Sequence, residues 1–386
     1  MLYLDYCATT PMSKEVTESI VKVMERHYGN PSSIHRIGME AERLLNRAKE
    51  VIAEAIECRP EEICFTSGGT ESNNLAVKGT ARAYRSRGNH LITSAVEHSS
   101  VYESFRRLER EGFRVTYLPV DSSGAIRIEQ LKEAITEETI LVSLMHVNNE
   151  TGRIQPVEQA GKLLAGYPKI VYHVDAVQSV GKLPVSPARL GADLISISAH
   201  KIEGPKGAGL LYIRDGLILE PQLDGGGQER GLRSGTENVP LLVGMAKAVR
   251  LAVDKQANNS RRLYRMREGL AERIRKIPGL FLTGSENGDG MAPHIVHFTY
   301  PGMKAEVVVH ALEEEEVYIS TRSACSSGET KPSRVLLAMG MDEERAASGL
   351  RVSFSANETS EDLERFADLL ERTIQRFNGT NARMKG

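Results

Sequence analysis

Tryptophan is absent from the 386 residues and aromatic side chains make up only 5%, so any core here must be built mainly from aliphatic side chains. Cysteine is scarce as well. Cys7, Cys58, Cys64 and Cys325 show no CxxC pairing, which argues against both a disulfide framework and a zinc knuckle. Cys58 and Cys64 flank a helix-to-strand junction and read as small core hydrophobes. No apolar run is long enough to span a bilayer, and the start, Met1-Leu2-Tyr3-Leu4-Asp5, lacks the regions of a signal peptide. A cytoplasmic protein without membrane contact is therefore expected. The formal net charge of -2 leaves no basic footprint for nucleic acid. Repeats and low-complexity tracts are missing too, which disfavours solenoids and propellers. His294 and His297 form an H-x-x-H, but no third ligand is near in sequence. The alternation Ile295, Val296, Phe298 also puts the two on opposite faces of a strand, so no metal site is expected.

What is present is a regular beat. The stretch from His35 to Glu57 carries Met39, Leu44, Leu45, Ala48, Val51, Ile52, Ala55 and Ile56 at spacings of three and four, the pattern of an amphipathic helix. Short apolar runs then alternate with helical patterns, at residues 63–65, 90–93, 115–118, 140–145, 170–174 and 194–197. That alternation predicts an α/β fold, a mostly parallel sheet with helices on both faces. The beat loosens in the polar segment Asp254 to Arg262, read as the start of a second lobe. That lobe has strand candidates near Phe281, Ile295, Val317 and Leu350 and a terminal helix from about Ser360.

Ligands on such sheets gather outside the carboxyl ends of the strands, so the residues just after each apolar run are where chemistry is sought. Ser198-Ala199-His200-Lys201 closes one run. Lys201 is either the lead of a Gly-Pro turn or a desolvated amine able to form a Schiff base with a carbonyl cofactor. Ser67-Gly68-Gly69-Thr70 lies between a strand and a helix, where free N–H groups attract an anion; the rival is a plain glycine turn. Asp175 is a helix cap or a carboxylate that keeps a pyridine nitrogen protonated, with Gln178 one turn later. His98 caps a helix or stacks on a flat ring. The glycine-rich loop 221–238 offers Arg233, Ser234 and Thr236 as phosphate donors, in this subunit or a neighbour, or is a mobile surface loop. Arg351, a charge inside an apolar run, is a carboxylate clamp or half of a structural ion pair. Cys325 sits in the small-residue loop Ser323–Gly328 beside Arg322, a setting that suits an accessible nucleophile.

Taken together and in order, Leu4–Pro11, Gly29–Ser33, Phe65–Ser72, His146–Glu150, His173–Ser179, Ser198–Ile202, Gly204–Gly207, Arg233–Thr236 and Ser323–Cys325 resemble the pyridoxal-phosphate-dependent cysteine desulfurases of the NifS and IscS type, within the class V aminotransferase family. The likeness runs over nearly the whole chain. It implies transferase fold type I, with an N-terminal arm (1–14) packing on the small domain, a large cofactor-binding domain (15–257) and a small α+β domain (258–386) carrying the Cys325 loop. It implies pyridoxal 5'-phosphate covalently held by Lys201, which also shuttles the proton. Asp175 would contact the ring nitrogen and Gln178 the ring oxygen, while His98 would stack on the ring. The phosphate would rest on Gly69, Thr70, Ser198 and His200, and on Thr236 from the other subunit of a homodimer. Asn149 and Arg351 would grip the carboxylate of L-cysteine, and Cys325 would accept its sulfur as a persulfide. The products would be L-alanine and sulfur passed to an acceptor protein for iron–sulfur cluster, thio-tRNA or cofactor synthesis. Selenocysteine lyase activity, or a catalytically silent scaffold for a sulfur acceptor, are the alternatives. The chain departs from the usual pattern at Glu203 (commonly tyrosine), Asp224 (commonly histidine), Cys7 (commonly small or histidine) and Ser355-Ala356. Glu203 and Asp224 are expected to add negative charge near the site.

Overall fold

The computed structural model describes residues 1–285, 287–321 and 332–384. Twelve strands are found among them: β1 (Leu2–Tyr3), β2 (Ile63–Thr66), β3 (His90–Ser94), β4 (Arg114–Leu118), β5 (Thr139–Met145), β6 (Val171–Asp175), β7 (Leu194–Ser198), β8 (Gly209–Ile213), β9 (Phe281–Leu282), β10 (Ile295–Thr299), β11 (Val317–Tyr318) and β12 (Gly349–Ser353). Seven of these form the central sheet, in the order β2-β8-β7-β6-β5-β3-β4. From β4 to β7 every pairing is parallel, while β8 runs antiparallel to both its neighbours. The buried central strands, such as Thr139–Met145 and Leu194–Ser198, are covered on both faces, which is why they read as nearly unbroken apolar runs. All six apolar runs become strands of this sheet. β8 was not legible: its Gly209-Leu-Leu-Tyr-Ile213 follows closely on the Gly204–Gly207 turn and has no helix before it to mark a crossover.

Helices cover the sheet for the reasons their sequences give. Arg36–Ile56 buries Ala41, Leu45, Ala48 and Ile52 along one stripe. Lys14–Arg26 begins at Ser13, whose hydroxyl accepts from Val16 N–H, and buries Val16, Ile20 and Val23. Both helices pack on Val239–Asp254. The approach is close at Gly244, where an added Cβ would stand 2.5 Å from Ile20 Cγ1; alanine there would force the helices apart.

A separate apolar cluster surrounds the three-stranded antiparallel sheet β12-β10-β9, joining Leu263, Leu270, Phe298, Val308, Val352 and Phe366. Each fully buried aliphatic or Phe side chain contributes about 1.5–3 kcal/mol. The N-terminal arm crosses to this cluster. β1 pairs in parallel with β11, and Leu2 and Leu4 are part of its core. The polar segment near residue 254 is helical rather than irregular. One helix ends at Asp254 and another, Gln256–Lys276, begins two residues on. Asn258, Arg261 and Arg262 face solvent while Ser260, Leu263 and Met266 point inward. The polarity came from the exposed stripe of a helix, not from a loop. Among the described residues no helix is long and apolar enough to cross a membrane.

Candidate active site

Most of the candidate residues converge on one cavity of about 140 Å³ at the carboxyl edge of the central sheet. Gly69 and Thr70 come from the turn after β2, His98 from the end of β3, Asn149 from beyond β5, Asp175 and Gln178 from β6, Ser198, His200 and Lys201 from β7, and Arg351 from β12. Gly69 opens a helix, and a Cβ on it would meet Val177 Cγ2 at 2.8 Å, so only glycine leaves that corner open. Ser198 lies within a few ångströms of this glycine turn, and His200 faces Thr9 with Nδ1 3.2 Å from the hydroxyl. Burial pushes His200 down to about 4, so its ring is neutral at pH 7.

Lys201 occupies a 3-10 turn just past β7. Its Nζ donates to the carbonyls of Cys7 and, at 2.8 Å, Ala8, so the N-terminal arm supplies the acceptors for the amine. Gln178 Nε2 donates to the same Cys7 carbonyl at 3.1 Å. Cys7 itself packs among Val147, Ala292 and Ile295. Burial raises its thiol above the ordinary value.

Asp175 is held at both oxygens. Val177 N–H donates to Oδ1 at 3.0 Å, and Asn73 Nδ2 to Oδ2 at 2.8 Å. The Asn73 amide also donates to Ser100 Oγ at 2.8 Å, and that hydroxyl lies 2.8 Å from His98 Nδ1. Ser100 N–H donates to the same His98 nitrogen at 3.2 Å, so Nδ1 is the acceptor and the ring proton sits on Nε2. Burial lowers the His98 pKa, against the pull of Asp175, and favours the neutral ring. His98 is therefore both a helix cap and a wall of the cavity. Asn73 and Ser100 were not singled out from the sequence. Asn73 is one helical turn past Gly69, and that i+4 spacing is the signal that would have found it.

Arg351 is 1% exposed. It donates through Nη1 to the Asn149 carbonyl at 2.8 Å and through Nη2 to Asp5 Oδ1 at 2.7 Å, while Nε meets no partner among the described residues. The ion-pair reading of this arginine holds, and the side chain also lines the cavity. Thr236 is exposed and lines a neighbouring cavity with Thr66, Ser67 and Arg233, away from Lys201. Cys325 lies outside the described residues. Asp224 is exposed and lines neither this cavity nor the second one that Lys201 lines; Glu203 lines the latter.

Beside His98, Glu97 is fully enclosed. Its Oε1 accepts from Ser94 Oγ at 2.6 Å and Met145 N–H at 3.0 Å, and Oε2 meets no described partner. Burial pushes its carboxyl from 4.5 up to about 8, so the folded chain keeps a proton there that the unfolded chain releases. The associated stability is complete below 4.5 and is lost as pH rises through about 8. Glu97→Gln should accordingly flatten the dependence of urea midpoint on pH in that window; a variant as steep as the parent would refute the assignment.

The chain matches the class-V aminotransferase family over residues 2–366. It belongs to that family. Among its relatives, a protein of Dictyoglomus turgidum named cysteine desulfurase IscS is 44% identical over 97% of this chain and 95% of its own length. A cysteine desulfurase IscS of Serratia proteamaculans is 43% identical, covering 97% and 93%. Among solved structures, a NifS-like protein superposes with a TM-score of 0.90 at 36% identity over 97% of this chain and 99% of that one. DndA from Streptomyces lividans gives 0.78 at 38% identity over 92% and 99%. The architecture is transferase fold type I, and the class-V aminotransferase family uses pyridoxal phosphate.

The cavity fits that cofactor. Its lining includes a carboxylate held at both oxygens, a neutral imidazole, a lysine amine, and a glycine that leaves room beside a helix start.

Proposed function

We propose that this chain is a cysteine desulfurase that removes sulfur from L-cysteine to give L-alanine. What carries the reading is the convergence of Lys201, Asp175, His98 and Arg351 on one cavity, in a chain 44% identical to a named cysteine desulfurase over nearly its full length.

Pyridoxal phosphate, when bound, supplies an electrophilic carbon for the substrate amine and a ring that draws electrons from the α-carbon. Asp175, held by Asn73 and Val177, would keep the ring nitrogen protonated, and Gln178 would face the ring oxygen. His98 would stack on the ring. Gly69, Thr70, Ser198 and His200 would receive the phosphate, with Thr236 of the partner subunit completing the cradle. Arg351 and Asn149 would orient the substrate carboxylate. Lys201, released from its covalent role, would move the proton at the α-carbon. Cys325 as thiolate would attack the substrate sulfur, forming a sulfur–sulfur bond as the carbon–sulfur bond breaks. The persulfide would then pass to a sulfur-acceptor protein.

A homodimer accords with the monomer's surface. Val21, Met24, Tyr28, Ile34 and Met39, on the first two long helices and the turn between them, are exposed. The same reading divides the chain into an arm (1–14), a cofactor-binding domain (15–257) and a small domain (258–386).

The test is alanine and sulfide formation from L-cysteine by the parent and by Cys325→Ala. Sulfide production should fall by at least about a hundredfold in the variant, the scale of losing an activated nucleophile. Unchanged turnover would sink the role of Cys325.

A further inference from the structure

Lys201 also lines a second cavity, of about 360 Å³. Three parts of the fold meet there: the N-terminal arm with Tyr6, Thr10 and Ser13, the central sheet's edge with Gln178 and Lys182, and the small sheet's rim with His294 and Ser355. Gln178 and Lys201 line both cavities.

Two groups in this second cavity have unspent hydrogen-bonding capacity. His294 is 2% exposed, and neither ring nitrogen has a partner among the described residues. A buried polar group in that state carries a desolvation penalty that a bound polar ligand removes. Lys182 donates to the Lys201 carbonyl at 2.6 Å, using one of its three ammonium protons. Burial has pushed Lys182 down to about 8, with Glu203 pulling only partly the other way. Apart from Lys201, which the proposed function commits to the cofactor, three lysines line the cavity (Lys14, Lys182, Lys255) against two glutamates, Glu15 and Glu203. The balance calls for an anion, and a neutral imidazole beside an ammonium calls for one that takes both a charged and a neutral donor.

We propose that this cavity is a second binding site, for a small organic monocarboxylate of amino-acid size, with Lys182 and His294 as its donors. The site sits one hydrogen bond from the backbone of the reactive lysine. Its occupancy is independent of which reaction the catalytic cavity performs.

Calorimetric titration of the cofactor-loaded protein with propionate, and with propionamide as the uncharged control, tests it. Propionate should bind and propionamide should not. Lys182→Met and His294→Leu, each checked for an unchanged melting profile, should weaken propionate binding by at least about tenfold, while Lys182→Arg should retain it. If His294→Leu fails to fold, the Lys182 pair alone decides. Absence of propionate binding to the parent, or equal binding by Lys182→Met, would overturn the proposal, the latter by assigning the anion to Arg351 in the catalytic cavity.

Discussion

Lys201→Ala should lower alanine production from L-cysteine by at least about a thousandfold, since the residue is asked both to hold the cofactor and to move a proton, and proton transfer alone is worth about 10²–10⁴-fold. The loss should fall on kcat. KM should hold nearer its parental value, since under the proposed function Arg351 and Asn149 bind the substrate and the substitution leaves their contact in place. The absorbance of a lysine-bound cofactor should vanish, while some cofactor should still be retained if Asp175, Gln178 and His98 hold it as proposed. Stability should change little, because the acceptors Lys201 Nζ meets in the arm, the Cys7 and Ala8 carbonyls, are part-buried and water can replace the amine there. Near-parental turnover by Lys201→Ala would refute the assignment of Lys201 outright.

The setting of Lys201 shows how much of the site is legible in the sequence. Each apolar run names a strand, and the sheet rule says where to look on it, so Thr70, His98, Asn149, Asp175 and Lys201 are all legible as strand-end residues. None is decisive alone; their meeting at one edge is. What the sequence hid are partners brought together from far apart. The acceptors for Lys201 are carbonyls of Cys7 and Ala8, nearly two hundred residues away, and carbonyls carry no residue signature. Asn73 holds Asp175 across 102 positions, from inside a helix whose polar residues look like an ordinary solvent face. Strand β8 was hidden for a different reason, since an antiparallel neighbour needs no crossover helix and so leaves no beat in the pattern. Thr236 lines a neighbouring cavity of the same chain, apart from Lys201.

Asp5 is the clearest such partner, 346 positions from Arg351, and its removal should cost more stability than any other single polar change at the site. The Arg351 side chain is 1% exposed and that of Asp5 18%. Breaking a buried ion pair by deleting one member leaves an uncompensated charge, typically at about 3–5 kcal/mol. Because Asp5 is partly open to water, the lower end applies, and Asp5→Ala should lose about 3 kcal/mol in urea unfolding. Asp5→Asn keeps an oxygen acceptor and should lose about half of that. The guanidinium left behind would still donate to Asn149, but it would lose its directly bonded carboxylate and keep only the weaker pull of Glu150. A carboxylate arriving from solution then satisfies more in the variant than in the parent, which already holds one. L-alanine should therefore raise the melting temperature of Asp5→Ala by more than it raises that of the parent, because a ligand stabilises by its affinity for the folded state alone. An equal rise would leave Arg351 a structural cation and no clamp, and a parental urea midpoint for Asp5→Ala would show that the pair is not needed to hold Arg351 in place.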